Sequence, residues 1–142
     1  MNQPRSILIA IAASLSCNAA IAAALTIEVS DIAALTGALM IAMYDSAAGF
    51  DDGEAPPVKA MRVEVDAETV LVSLEELAEG DYAIKLYHDA NDNGEMDQNM
   101  MGLPIEGYGF SGNGGRFGPP EFEEAAFEVR EDTDNKVSIE LR

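Results

Sequence analysis

Oxygen-bearing side chains alternate along residues 88–99, HDANDNGEMDQN: Asp89, Asn91 and Asn93, with Gly94 next and Asp97 three residues beyond it. A hard divalent cation such as calcium takes about six to eight oxygen ligands, and the helix-flanked calcium loop supplies them from spaced positions along one bend. Counted from Asp89, the side chains of Asn91, Asn93 and Asp97 fall on the third, fifth and ninth positions of such a loop, and the Glu95 carbonyl falls on the seventh. Gly94 stands where the chain must turn sharply. The twelfth position, a bidentate glutamate in that loop, is Met100 here. A further carboxylate is therefore expected from outside, and Glu106 is the candidate. The expected calcium ligands are thus Asp89, Asn91, Asn93, Glu95, Asp97 and Glu106. Few formal charges imply a weak site, with a dissociation constant of about 10⁻⁴ to 10⁻³ M, as in extracellular modules. The same residues have a plainer reading. Asn-Gly is a hairpin turn signal, and Asx side chains bond their own backbone. The motif leaves both open.

Other chemistry finds less support. His88 is the only histidine; it continues the alternation of Tyr82, Ile84 and Leu86, so it is expected to point inward as a structural residue. Asp89 cannot orient its ring, because adjacent strand residues face opposite ways. GFSGN (109–113) approaches the G-x-S-x-G nucleophile elbow, but Asn113 replaces the last glycine and no helix is expected after it. The glycines of SGNGGRFG precede no helix and carry no P-loop lysine. The 26 acidic residues guarantee close carboxylate pairs without singling one out for glycosidase work. No catalytic residue is assigned, and the leading reading is non-enzymatic. The alternative is a hydrolase using acidic residues or His88 beneath the 98–122 loop; its mark would be a carboxylate or hydroxyl nucleophile within hydrogen-bond reach of His88.

The elements that must position these residues are strands. Leu25, Ile27 and Val29 alternate with polar neighbours, as do Met61, Val63 and Val65, and then Val70, Val72 and Leu74. Tyr82 to Leu86, Ala125 to Val129 and Val137 to Leu141 repeat the pattern, while GALMIAMY (37–44) is apolar on both faces, as in a central strand. About seven strands with turn-rich separators predict an all-β fold, an antiparallel β-sandwich, transthyretin-like or Ig-like. LEELAE (74–79) predicts one helical turn before Gly80. Residues 98–122, rich in glycine and aromatics, predict one long ordered loop. Tyr108, Phe110, Phe117 and Phe122 are expected to pack it down; a partner meeting Tyr108, Phe110 and Phe117 is the alternative.

The chain has 142 residues, enough for one domain. Residues 1–22 place Arg5 before an apolar run from Ile7 to Leu15 and small residues at Ala20 and Ala22, the order of a secretory signal peptide cut after Ala22 or shortly beyond. The single domain is then 23–142. An uncleaved membrane anchor is disfavoured by Ser14, Ser16 and Asn18, and lipid anchoring at Cys17 by Ser14, where that signal prefers leucine. Cleavage removes the only cysteine and Arg5, moving the net charge from -18 to -19. Such a surface repels nucleic acid and anionic membranes. The expected location is periplasmic or secreted, with no nucleic-acid partner and no direct membrane insertion after signal cleavage; the expected partner is an unidentified protein or glycan.

YDSAAGF (44–50), LAEGDYAIKLYHDANDNGEMD (77–97) and GLPIEGYGFSGNGGRFGPPEFEEAAF (102–127) together resemble an exported bacterial family of uncharacterised function, domain of unknown function 2141. The resemblance implies a small exported β-sandwich and brings no activity with it. LEELAEGDYAIKLYHD is also similar to the strand entry of transthyretin-like and carboxypeptidase-regulatory-like sandwiches, which implies fold alone. With one histidine and a C-terminus of SIELR, the chain lacks the several histidines and tyrosine-rich end of transthyretin-related hydroxyisourate hydrolases.

Overall fold

Period-two alternation becomes eight strands in the computed structural model, which describes residues 22–142. The expected signal peptide, apart from Ala22, lies outside the described residues. In chain order the strands are β1 (Ala23–Ser30), β2 (Ala38–Tyr44), β3 (Lys59–Glu64), β4 (Val70–Leu77), β5 (Gly80–Asp89), β6 (Tyr108–Phe110), β7 (Phe127–Val129) and β8 (Asn135–Glu140). Two one-turn helices, α1 (Ala47–Phe50) and α2 (Phe122–Ala125), sit in the connections. Among the described residues no helix is long and apolar enough to cross a membrane.

The strands form an all-β sandwich of two packed sheets. The smaller has the order β4-β1-β8; the larger runs β3-β2-β5 and then shares its last edge between β6 and β7. One face of each strand supplies the core: Leu25, Ile27 and Val29 from β1 meet Leu39, Ile41 and Met43 from β2, with Ile84 and Ile139 between. Each such side chain contributes about 1.5–3 kcal/mol by leaving water. A second apolar cluster lies beyond the larger sheet, where Phe50 and Ala125 pack on Ala83.

Three details depart from the expected pattern. β1 pairs with β8 in parallel, Leu25 opposite Asn135, while the other five pairings are antiparallel. Parallel neighbours require a long crossover, and here nearly the whole domain serves as that connection. LEEL is strand rather than helical turn: it closes β4 against β1, with Glu76 at φ 60° and a register shift between Ala23 and Leu25. A lone turn leaves its backbone groups largely unpaired, whereas the ladder pairs them. The eighth strand, β6, lies inside the long loop; three residues are too few to show a period.

β5 carries the most. Its outer edge bonds β6 along Lys85–Tyr87 and β7 along Gly80–Tyr82, leaving a seam at Ala83 and Ile84. The Ser111 hydroxyl fills it, accepting from Ile84 N at 2.8 Å and donating to Ala125 O at 2.6 Å. Gly109 lets β6 come close to β8, since a Cβ there would stand 2.7 Å from Ile139 Cγ2. On this side the two sheets are stitched together: Tyr108 and Arg142 exchange backbone hydrogen bonds at 3.3 and 3.1 Å.

Candidate functional site

Asp89 is the last residue of β5 and is 1% exposed. Its two carboxylate oxygens accept from the backbone of the bend that follows, Oδ1 from Asn93 N at 3.0 Å and Oδ2 from Gly94 N at 2.8 Å. A buried carboxylate is tolerated when such donors replace its water. The β1–β2 connection wraps this position. Thr36 Oγ1 donates to Ala90 O at 3.1 Å, and Gly37, at φ +68°, lies so close that a Cβ would stand 1.9 Å from Asp89 O. Only glycine fits there.

Asn91, Asn93 and Asp97 gather on the outer side of the bend. Asn91 Nδ2 donates to Asp97 Oδ2 at 2.5 Å, and Asn93 Nδ2 donates to Asp97 Oδ1 at 2.9 Å. The amide oxygens face the backbone: Asn91 Oδ1 accepts from Asn93 N at 3.2 Å, and Asn93 Oδ1 from Glu95 N at 2.9 Å. Glu106 closes the loop, its carboxylate accepting from Ala90 N and Asp97 N, both at 3.0 Å. The expected residues Asp89, Asn91, Asn93, Asp97 and Glu106 therefore share one hydrogen-bonded network. Glu95 joins it through its backbone N–H, with its side chain exposed. Among the described residues no three His, Cys, Asp or Glu side chains are arranged around a common metal position; the carboxylates instead face N–H donors.

Sequence reasoning missed two supports of this loop. Tyr87, on the outer face of β5, donates its hydroxyl to Gly94 O at 3.2 Å. Burial first, then the charges of Asp89, Glu106 and Glu95, push its phenol above the ordinary range. Arg62 of β3 reaches across to Asp92 Oδ1 at 2.6 Å and also pairs with Glu64. The outward phase of Tyr87 in the alternation was the available signal; no local spacing announced Arg62.

His88 is 3% exposed, and its Nε2 donates to Thr36 O at 2.7 Å, since a carbonyl can only accept. Among the described residues neither a carboxylate nor a hydroxyl hydrogen-bonds to its ring. The serine of GFSGN is the seam-filling Ser111, fully buried. Of the four loop aromatics, Tyr108, Phe110 and Phe122 are half-buried, with Phe110 and Phe122 edge-on to Phe50 at 6.4 and 6.1 Å. Phe117 departs from the expected packing: it is 98% exposed, although Gly115 close by lies against the Phe110 ring.

A family model described as an uncharacterized protein conserved in bacteria, DUF2141, matches residues 27–138, most of the sandwich from β1 to β8. The chain belongs to this family. For this DUF2141 member, no curated protein and no solved structure matches. The match extends through the 89–106 loop and the buried seam at Ser111, so both lie within the matched part of the chain.

Proposed function

We propose that this DUF2141 protein is an exported, non-enzymatic β-sandwich module whose 89–106 loop binds calcium and thereby sets the position of the segment leading to β6. The reading takes Asp89, Asn91, Asn93 and Asp97 as side-chain ligands, the Glu95 carbonyl between them, and Glu106 as the carboxylate from outside. What carries it is the convergence of the Asn91 and Asn93 amides on the Asp97 carboxylate, at 2.5 and 2.9 Å. Amide hydrogens there place positive charge where a cation would stand. Rotating each amide by half a turn replaces a donor with an oxygen ligand and gives up the bond that its oxygen now accepts from Asn93 N or Glu95 N, which the ion must offset. Export rests on the composition of residues 1–22, and a module of this kind serves binding or structure in the cell envelope, with an unidentified protein or glycan as partner.

A second reading is favoured by a separate observation. Both Asp89 oxygens already accept backbone N–H groups, so Asx turns alone satisfy the loop. Thermal unfolding with calcium and with chelator separates the two. At 10 mM calcium, about tenfold above a dissociation constant of about 10⁻³ M, binding adds about 1.4 kcal/mol, which moves the midpoint of a domain this size by roughly 5 °C. Asp89→Ala removes that shift and His88→Ala retains it. An unmoved midpoint at millimolar calcium leaves the ion-free loop as the function-neutral answer.

A further inference from the structure

We propose that the outer face of the larger sheet is a binding groove for a free long-chain carboxylate. The reading is independent of calcium. On β2 the residues opposite the core, Met40, Ala42 and Tyr44, are only half-buried, and with Tyr87 and Phe110 they floor a groove of about 1400 Å³. Met96 of the acidic bend and Leu103, Phe117 and Pro119 of the long loop form its walls. Pockets for compact ligands span about 300–1,000 Å³, so this one suits an extended chain. Its rim is uncovered: Phe117 is 98% and Leu103 53% exposed. Apolar groups presented this way on a strongly charged protein mark a surface that something covers.

Charge selects the head group. The chain carries 8 basic and 26 acidic residues, yet Arg62, Lys85 and Arg116 line the groove against only Asp51 and Glu121. Both acids are already engaged, Asp51 with Phe122 N at 2.8 Å and Glu121 in the capping box of α2. Arg62 is taken by Asp92 and Glu64. Lys85 gives one hydrogen to Phe50 O at 2.6 Å and lies over the rings of Tyr44 and Phe50 at 4.9 and 4.8 Å, with its other hydrogens unassigned. Among the described residues Arg116 makes neither hydrogen bond nor ion pair. Its planar fork matches a carboxylate in two parallel hydrogen bonds. Burial holds the Lys85 ammonium below its ordinary range, partly offset by Asp51, so a second anion nearby relieves it. A bilayer is the wrong occupant: the groove is concave, and a net charge of -18 opposes anionic membranes.

Isothermal titration of the purified protein with dodecanoate tests this, with dodecyltrimethylammonium as the cationic comparator. Dodecanoate is expected to saturate and to bind more tightly than the cation despite the overall negative charge. Ala42→Trp, which fills the floor from the outward face, is expected to abolish saturation with circular dichroism unchanged. Should that variant misfold, the exposed positions decide: Arg116→Ala weakens dodecanoate about 5-fold, and Phe117→Ser weakens it about tenfold. Equal or tighter binding of the cation overturns the proposal. So does dodecanoate binding unaffected by the variants, or a dimer that dissociates in Ala42→Trp, which would assign the face to a second copy.

Discussion

Residues 90–106 and residues 107–126 both belong to the excursion between β5 and β7, yet they are held by opposite means. The first half is tied by carboxylates to backbone N–H groups, with Asp89 and Glu106 as the main acceptors. The second half is pressed down by the Phe50 cluster and pinned by the buried Ser111 hydroxyl. Polar ties in a solvated loop answer to ions, because water and salt compete for the same atoms. Packed rings do not. One segment is therefore adjustable at its start and rigid at its end, and the groove wall spans both.

The largest effect should come from the rigid half. Phe50 is 3% exposed and contacts the rings of Tyr44, Phe110 and Phe122 at 5.8–6.4 Å. Phe50→Ala is expected to cost about 3–5 kcal/mol in urea unfolding, equally with calcium or chelator. A calcium-dependent cost would erase the distinction between the halves. Ser111→Ala comes next, at about 1–3 kcal/mol, because it leaves Ile84 N facing no acceptor at the seam. Hydrogen exchange at the Ile84 amide should accelerate; an unchanged rate would mean that another group closes the seam.

Glu106→Gln probes the adjustable half. A glutamine offers one oxygen, so either Ala90 N or Asp97 N loses its acceptor, for about 1–2 kcal/mol and loss of any calcium-induced shift. A cost matching that of Phe50→Ala would show the acidic loop to be as structural as the core. The smallest effect belongs to Tyr87. Its folded pKa is raised above the ordinary 10.0, by burial first and then by Asp89. Its contribution to stability is thus complete below pH ~10 and fades as pH rises through the raised value. Tyr87→Phe should flatten part of the alkaline decline in unfolding midpoint, with phenolate absorbance reporting the late ionisation. Tyr82, also raised by burial, supplies another part.

Much of the sandwich was legible because burial of one strand face writes itself into alternate residues. All seven expected strands are present, and β2 is flanked by β3 and β5 as its two apolar faces implied. The spacing from Asp89 to Asp97 was equally readable, since the bend that gathers those side chains is local. Glu106, nine residues on from Asp97, joined the same network. β6 escaped notice because Tyr108–Phe110 is shorter than any period can report, and Phe117 was placed wrongly because aromatic type does not say which side of a loop residue faces solvent.

By itself the sequence determined the all-β class, the strand faces, the acidic bend and the strong negative charge, all of which depend on residues near one another in the chain. Only the tertiary structure decided that β8 runs parallel to β1, that Ser111 closes a gap between two short strands, and that three of the few cations face a common apolar groove. Those outcomes join segments from about a dozen to more than a hundred residues apart. Side-chain type and spacing carry no record of such meetings, which are settled by how two sheets bury their faces together.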